Sequence, residues 1–259
     1  MQHPNPERAA LAGATPARAQ TARERARDQI TAEIVAAARI RLAESGPGEL
    51  SLRAVARDVG MVSSAVYRYF ASRDELLTAL LVLAYDDLGS AAERADAAVA
   101  DRADVIGRWL AALRAIRGWA LAHPGDYALL YGSPVPGYAA PQATIEPAVR
   151  VIVVILSIVT EAHALGRIAT PTAPAGPVTA AAEMASVAGA VAFVRARGLV
   201  GDEVPTELVI RTLMAWTTVF GTVSFELFGH LVGSVTDLDV YFDVVASRLA
   251  ADLGFSALR

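Results

Sequence analysis

The stretch LSLRAVARDVGMVSSAVYRYFASRDEL, residues 50–76, decides how the chain is interpreted. One face of its first part is apolar at helical spacing, at Leu52, Val55, Ala56 and Val59. This spacing predicts a helix over 52–59 with Ser51 as its N-cap. Gly60 then permits a tight turn, and a second short helix is predicted over about 63–70.

The second short helix has an expected inner face and an expected outer face. The predicted inner residues are Val62, Val66 and Phe70, and the predicted outer residues are Ser63, Ser64, Tyr67 and Arg68. Ser72, followed by acidic Asp74 and Glu75, predicts the N-terminus of a long helix reaching about Ala98. Two short helices, joined by a glycine turn and supported by a longer helix over about 22–44, form a helix-turn-helix. Its second helix fits the DNA major groove, which is about 12 Å wide.

The outer residues suit DNA contacts. Small hydroxyl side chains at the start of the second helix allow close approach to base edges, whereas tyrosine and arginine can hold phosphates. Arg73 is expected to contact phosphate at the next helix N-terminus. The predicted DNA-binding residues are Ser51, Arg53, Ser63, Ser64, Ala65, Tyr67, Arg68, Tyr69 and Arg73. The alternative is that these are ordinary surface residues of a helical hairpin.

Residues 30–76 resemble the DNA-binding head of the TetR family of bacterial transcriptional regulators. The resemblance is carried by Ile34 and Ala37, by LSLRAVARDVGM, by SSAVYRYF and by SRDEL. The family usually has Tyr, then His or Tyr, then Lys or Arg at the places of Tyr67, Tyr69 and Arg73. Val62 departs from the Ser or Thr that commonly caps the family's recognition helix, so the expected cap moves to Ser63.

The later part of the chain resembles one subset of that family, whose C-terminal domain is named for a Trp-His-Gly motif. The matching segments are HPGDYALLYGSPVPGY, residues 123–138, and WTTVFG, residues 216–221. Phe220 stands in place of the histidine, so no role of that imidazole carries over to this chain.

The remaining sequence predicts helices throughout, and no strand or repeat. They are expected at about 105–120, 126–131, 143–165, 178–197, 205–232 and 237–252. The predicted fold is all-α, with a flexible N-terminal arm over 1–21, a helix-turn-helix head over 22–75 and a larger ligand-binding and dimerisation body over 76–259.

Composition agrees with a DNA-facing head. Residues 1–75 carry a formal charge of +2, whereas residues 76–259 carry −6. There is no cysteine, and all 23 basic residues are arginine. The first twenty residues lack the apolar run of a secretion signal. The apolar run VIVVILSIV at 151–159 is far shorter than the roughly 20 residues that cross a bilayer, so we expect a cytoplasmic protein with no membrane partner.

The resemblance implies that the body dimerises and encloses a small-molecule pocket. Broad apolar faces over 180–194 and 208–228 carry small residues that permit close helix approach, which favours a four-helix bundle in a homodimer on a palindromic operator. Both helices could instead be core helices of a monomer. The candidate ligand contacts are Trp109, Trp119, Tyr127, Tyr131, Phe193, Trp216 and Phe220, although aromatics at helical spacing are also typical of plain core.

No catalytic constellation is recognisable, since a glycine-rich phosphate loop, a metal-spaced histidine cluster and a nucleophile elbow are all missing from the sequence. We therefore expect a regulator, most simply a repressor released by a ligand, with no enzyme activity, cofactor or metal. Two alternatives stay open. One is a constitutive DNA-binding protein with no ligand, and the other is a helical ligand carrier that has lost DNA binding.

Overall fold

The computed structural model describes residues 21–169 and 179–256, so all but Thr21 of the arm expected over 1–21 lies outside it. Eleven α-helices fall within these ranges: α1 Ala22–Ser45, α2 Leu52–Asp58, α3 Ser63–Val66, α4 Arg73–Ala97, α5 Val105–Ala122, α6 Pro124–Tyr131, α7 Ile145–Ala164, α8 Ala180–Ser186, α9 Ala188–Ala196, α10 Thr206–Leu227 and α11 Leu238–Asp252. Short 3-10 helices cover Pro47–Glu49 and Gln142–Thr144. In the described ranges, the only β pairing is one isolated antiparallel bridge between Ile168 and Phe255. The predicted all-α fold is confirmed.

The head has its own apolar core. Helix α1 begins with a capping box in which Thr21 and Glu24 satisfy each other's backbone N–H groups. Its inner face buries Ile34, Ala38 and Leu42 against α2, α3 and the start of α4. The head is thus a compact unit whose short helices are held by the longer helices on either side.

Helix α4 belongs to both cores. Its first turns bury Leu76, Leu77 and Leu80 in the head, and its later turns bury Ala84, Leu88 and Ala92 in the body. Ser72 accepts a hydrogen bond from the Glu75 backbone N–H, which confirms the expected N-cap. Helix α4 is continuous through both cores, so no break in the chain marks the domain boundary predicted after residue 75. That boundary stays a prediction.

The body is a layered helical bundle in which α4 packs most extensively on α5 and α7, while α10 and α11 cover the far side of α5. Two segments, Gln142–Ala164 and Thr206–Leu227, are long and apolar enough to span a membrane by length and composition alone. In this fold both contribute buried apolar residues to the body core, such as Ile155 and Val219. This packing is typical of core helices in a soluble protein.

Several helix ends differ from the sequence expectation. The helix expected over 178–197 is two helices, because Val187 leaves helical geometry with φ −111° and ψ 9°. The helix expected to reach 232 ends at Leu227, where Gly229 takes φ +78° and its N–H bonds the Glu226 carbonyl. The next N–H, that of His230, bonds the Phe225 carbonyl, which completes a Schellman motif.

Candidate nucleic-acid interface and ligand cavity

The turn between α2 and α3 orients the candidate recognition helix. Gly60 has φ +67°, a left-handed conformation that glycine adopts without strain, which confirms the predicted turn. Val66 and Phe70 anchor the helix in the head core, as the wheel predicted, with exposed fractions of 0% and 5%. The opposite face of the helix is left to solvent.

Helix α3 is shorter than the sequence suggested. The expected range was 63–70, but the α-helix ends at Val66 because the N–H groups of Arg68 and Tyr69 bond carbonyls three residues back instead of four. Ser51 and Val62 occupy the N-cap positions of α2 and α3, and neither side chain makes a capping bond. Ser63, expected as the cap of α3, is its first helical residue.

The nine predicted DNA-binding residues of the head differ in their exposure. Arg53, Ser64, Tyr67 and Arg68 are exposed, and Ser51, Ser63, Ala65, Tyr69 and Arg73 are half-buried. Arginine guanidinium and tyrosine hydroxyl groups among them can bind phosphate oxygens, and the small residues of α3 permit approach to base edges.

Val62 is the residue whose position sequence reasoning misjudged. It was expected to face inward with Val66 and Phe70, but 71% of it is exposed. As the N-cap residue it has extended backbone angles, φ −68° and ψ 142°, so it does not follow the wheel of the helix. An exposed apolar side chain at this edge suits contact with a thymine methyl group.

The start of α1 packs beside the end of the recognition helix. The Arg27 guanidinium lies over the Tyr69 ring, 5.2 Å from its centroid, and donates to the Arg68 carbonyl at 3.3 Å. Tyr69 is therefore held partly by a cation–π contact, whereas Tyr67 stands free at 46% exposure. The two neighbouring tyrosines of the opening stretch thus have different surroundings.

Arg73 points into the protein instead of toward a phosphate. Its guanidinium donates to three carbonyls of the loop between α1 and α2, those of Pro47, Gly48 and Leu50, at 3.0, 2.9 and 2.8 Å. A donor at the N-terminus of α4 is also occupied, since the Glu75 N–H donates to the Ser72 hydroxyl. Arg73 therefore holds the α1–α2 loop in place and supports the head from within.

Replacing Arg73 with glutamine should destabilise the head without removing a phosphate contact. The loss of three carbonyl partners is expected to cost about 1–3 kcal/mol of unfolding free energy. Urea unfolding measures that cost, and salt titration of DNA binding should give the wild-type slope. A slope reduced by about 2 per dimer would instead mark Arg73 as a phosphate contact.

The segment 123–138 connects the body to the head. Gly125 lies so close to α1 that a Cβ there would be 2.6 Å from the Ala43 backbone nitrogen. Val135 and Tyr138 pack against the head core, and the Tyr138 hydroxyl is 2.9 Å from the Thr78 hydroxyl of α4. This segment, part of which resembles the Trp-His-Gly subset, therefore attaches the body to the head.

A buried carboxylate strengthens the same attachment. Asp126 on α6 is 5% exposed, and its Oδ2 lies 3.2 Å from the Nε of Arg39 on α1. The Nη2 of Arg39 donates to Asp87 of α4. Burial raises the pKa of Asp126, and the charges of Arg39 and His123 oppose that rise. Three helices, α1, α4 and α6, thus meet around one arginine.

A cavity of about 400 Å³ lies in the body between α4, α7, α9 and α10. Its lining is almost wholly apolar and includes Leu81 and Tyr85 of α4, Ile152 of α7, and Phe193 of α9. Trp216 of α10 completes the aromatic part of the wall. This volume falls within the range of ligand pockets, about 300–1,000 Å³.

Two of the seven aromatic residues predicted to contact a ligand, Phe193 and Trp216, line this cavity. Tyr131 and Phe220 lie behind the wall, with ring centroids 4.4 Å apart and with Phe220 5.8 Å from Trp216. Burial raises the pKa of Tyr131, and neighbouring Tyr85 raises it further. Tyr85 itself lines the cavity but was not predicted, because its place depends on how α4 packs.

The other three aromatics are core residues away from this lining. Trp109 is fully buried and donates its Nε1–H to the Ala246 carbonyl at 3.0 Å. Tyr127 donates to the Phe220 carbonyl at 2.8 Å, and burial raises its pKa to about 12. Trp119 stacks on His123 with centroids 5.1 Å apart. These contacts indicate that the three residues stabilise the core and do not line the cavity.

The described residues contain no group of three or more His, Asp or Glu side chains placed to hold a metal ion. The two chemically distinctive surfaces of this part of the chain are the exposed face of the head and the apolar cavity of the body.

Comparison with known proteins relates both parts to one family. Residues 34–80 match the model for bacterial regulatory proteins of the tetR family, and residues 109–249, more than half of the chain, match the tetracyclin repressor-like C-terminal domain. The HTH-type transcriptional regulator Rv1816 of Mycobacterium tuberculosis is 42% identical over 236 residues, which cover 89% of this chain and 95% of that protein. The Trp-His-Gly subset stays a prediction.

Solved structures agree with this assignment. The crystal structure of a regulatory protein, SCO4313, is 32% identical with a TM-score of 0.68, covering 89% of this chain and all of that one. A Rhodococcus sp. RHA1 protein of unknown function shares the fold at 24% identity and a TM-score of 0.63, with 93% of this chain and all of that one covered. The chain belongs to the TetR family of bacterial transcriptional regulators.

Proposed function

We propose that the protein is a cytoplasmic homodimeric repressor that binds a palindromic operator and releases it when a small molecule fills the body cavity. Family membership establishes a DNA-binding transcriptional regulator, not an enzyme, as the sequence predicted. The observation that carries the finer proposal is the continuity of α4, which contributes to the head core at Leu80 and to the cavity wall at Leu81 and Tyr85.

The exposed face of the head divides into two kinds of DNA contact. Val62 and Ser64, at the start of α3, are placed to approach base edges. Tyr67, Arg68 and Arg53 are also exposed on the head and carry groups that can hold phosphates. Arg73 is left out of this set because its donors are bonded to backbone carbonyls within the head.

Two substitutions should distinguish base contacts from phosphate contacts. Arg68→Ala should weaken binding to all sequences and lower the slope of log affinity against log salt by about 2 for a dimer, one unit per subunit. Val62→Ala should keep the slope and change the preference at one base pair in each half-site. Selection of bound duplexes, together with salt titration, measures both. Identical sequence-independent losses for both variants would refute this division.

The proposed dimer interface lies on α10 and α11. Together they expose an apolar surface of Met214, Phe225, Phe228, Val240, Tyr241 and Val244. Gly221, also exposed, allows close helix approach within it. We propose α11, and not residues 180–194, as the second helix of the bundle, since Phe193 and Val194 of α9 line the cavity. A two-fold dimer would set the recognition helices about 34–36 Å apart, or a multiple of that.

Ligand response is supported by an unbroken chain of contacts from cavity to head. Trp216 packs on Phe220, Phe220 packs on Tyr131 of α6, and Tyr131 packs edge-on against Tyr85 of α4. Helix α6 is in turn attached to α1 through Gly125 and the pair of Asp126 and Arg39. A ligand that favours one packing of α4 and α6 would thereby bias the spacing of the two heads, and coupling of about 1–3 kcal/mol changes operator affinity 5–150-fold.

The two alternatives are less well supported. A constitutive DNA-binding protein has no need of a lined apolar cavity of 400 Å³. A carrier that has lost DNA binding has no need of the exposed Tyr67 and Arg68 beside a correctly formed glycine turn.

Selection of bound duplexes from fragmented genomic DNA, at two salt concentrations, tests the operator part of the proposal. We expect enrichment of one palindrome with affinity that falls steeply as salt rises. Spin labels on the two recognition helices would then report their separation with and without compounds that enter the cavity. A separation that stays fixed while a bound compound releases the operator would contradict the proposed mechanism.

A further inference from the structure

The chemical class of the effector can be deduced from the cavity wall. Sixteen residues line it, and none of them is charged: Leu81, Tyr85, Ala140, Thr144, Ile145, Ala148, Val149, Ile152, Leu156, Ala190, Phe193, Val194, Val209, Thr212, Leu213 and Trp216. An ionised group placed against such a wall would lose part of its hydration without gaining a counter-ion, which is costly in an apolar environment.

The few polar groups of the wall have limited capacity. The Thr144 hydroxyl donates to the Pro141 carbonyl and the Thr212 hydroxyl donates to the Leu208 carbonyl, both at 2.7 Å. Their protons are therefore unavailable to a ligand. The Tyr85 hydroxyl and the Trp216 indole N–H have no hydrogen-bond partner within residues 21–169 and 179–256. They are the two donors that these lining residues can offer.

Both remaining donors are uncharged. Burial, followed by the neighbouring Tyr138, raises the pKa of Tyr85, so its hydroxyl stays protonated at neutral pH. A neutral hydroxyl and an indole N–H suit a carbonyl, ether or hydroxyl oxygen of a ligand. They are poorly matched to a carboxylate or a phosphate, which natural sites usually hold with arginine, lysine or a helix N-terminus.

One ion pair beside the wall, between Arg197 and Glu146, does not line the cavity. Arg197, at the end of α9, stacks on the Phe193 ring with its guanidinium carbon 3.8 Å from the ring centroid. It also forms an ion pair with Glu146 of α7, at 3.4 Å. Arg197 is not a lining residue and already has Glu146 as a counter-ion, so it adds no unpaired positive charge to the wall.

We propose that the cavity binds an uncharged, largely apolar molecule carrying one or two hydrogen-bond acceptors, and that it discriminates against ionised amphiphiles such as carboxylates and acyl phosphates. This inference deepens the proposed ligand response, and only its regulatory consequence rests on that response.

The test uses two probes with the same ring system. N-phenyl-1-naphthylamine is uncharged, and 8-anilinonaphthalene-1-sulfonate is the same framework with a sulfonate. Fluorescence titration of the full-length protein should give one saturable site per chain for the uncharged probe, with a Kd at least tenfold lower than that of the sulfonate. Equal or tighter binding of the sulfonate, reversed by Arg197→Gln, would overturn the proposal and assign an anionic amphiphile.

Variants place the probe in the cavity. Ala190→Phe on α9 and Ala148→Phe on α7 each fill the cavity from a different wall and should raise the Kd of the uncharged probe at least tenfold. Ala192→Phe, on the exposed side of α9, is the matched control and should change it less than twofold. Thermal unfolding verifies that each variant folds. Unchanged binding in both cavity variants would show that the probe binds elsewhere and overturn the proposal.

Operator binding separates this inference from the proposed function. A wild-type protein that binds its selected palindrome but shows no saturable probe site would overturn the ligand class while leaving DNA recognition intact. A protein that binds the uncharged probe in the cavity but keeps its operator affinity would support the ligand class and overturn the ligand response.

Discussion

Replacing Phe225 with glutamate is expected to convert the protein to a monomer and, as a consequence, to abolish operator binding. Phe225 is 54% exposed on α10 and lies on the same face as Met214 and Gly221. In a two-fold dimer the same surface meets itself, so each substitution introduces two carboxylates into one apolar contact. The dimer dissociation constant should rise more than 100-fold, equivalent to roughly 2.7 kcal/mol or more.

Loss of the dimer should remove most DNA affinity, because a single head makes half of the phosphate and base contacts. Sedimentation velocity measures the oligomeric state, and a mobility-shift titration with the selected palindrome measures binding. Leu165→Glu is a matched control, since Leu165 is apolar and 53% exposed but lies at the C-terminal end of α7, outside the proposed surface of α10 and α11. If Phe225→Glu stays dimeric at the same concentration as the wild type, the interface lies on another surface.

Local sequence patterns were sufficient for the helix-turn-helix. The burial of Val66 and Phe70, the left-handed turn at Gly60 and the Ser72 cap all follow from residues within a few positions of each other. Such features depend on periodicity, on capping chemistry and on the steric freedom of glycine, all of which can be recognised in a single sequence. The error at Val62 has the same origin, since a helical wheel was applied to a residue just outside the helix.

Contacts between distant segments could not be predicted in this way. Arg73 lies where a phosphate contact is expected from the motif, yet its partners are carbonyls 23–26 residues earlier in the chain. Which aromatic residues line the cavity depends on how α4, α9 and α10 are rotated relative to one another. No local sequence pattern specifies that rotation. Apolar periodicity therefore found the core helices but did not separate the wall residue Trp216 from the core residue Trp109.

The attachment of head to body is a further example. Helix α6 was expected over about 126–131, and the structure begins it two residues earlier, at Pro124. The more consequential residue is Gly125, because only the tertiary structure reveals that α1 passes within 2.6 Å of the place of its missing Cβ. The charge of Asp126 likewise gains meaning only from Arg39, on a helix more than eighty residues earlier.

Arg108→Ala should produce the largest loss of stability among the charged residues of the body. The Arg108 side chain is fully buried and bonds Asp96 of α4 at 2.7 Å and Glu161 of α7 at 2.6 Å. It thereby joins three helices, since Arg108 itself lies on α5. Its removal leaves Asp96 with Arg102 as the remaining cation and Glu161 half-exposed, so the loss of these charged hydrogen bonds should cost about 1–3 kcal/mol. Urea unfolding at pH 7 measures the loss.

The matched control on the same helix is Arg114→Ala. Arg114 bonds Asp243 through two nitrogens, both at 2.8 Å, but the two side chains are 55% and 43% exposed. Water screens such a pair, so its removal should cost at most about 1 kcal/mol. A cost for Arg108→Ala no larger than that of Arg114→Ala would mean that water replaces the lost guanidinium at little expense.

The pH dependence of the unfolding free energy shows whether lost ion pairs or lost packing account for the lower stability of Arg108→Ala. Burial acts to raise the pKa of Asp96, but hydrogen bonds from Arg108 and Arg102 outweigh it and hold the pKa below its usual range. A lowered pKa in the folded state stabilises the protein above the unfolded value of about 3.9, and that contribution is lost as the pH falls through the folded value. Without Arg108 the pKa of Asp96 rises. The variant therefore loses less stability than the wild type when Asp96 becomes protonated at low pH.

The difference in unfolding free energy between wild type and Arg108→Ala should therefore be constant from pH 7 to about pH 5, and should shrink below about pH 4 as Asp96 becomes protonated. Arg108→Met, which restores apolar volume but no charge, should follow the same pH curve with a smaller cost at every pH. If the difference for Arg108→Ala stays the same down to pH 3, lost packing accounts for the cost, and the ion pairs contribute little to holding α4, α5 and α7 together.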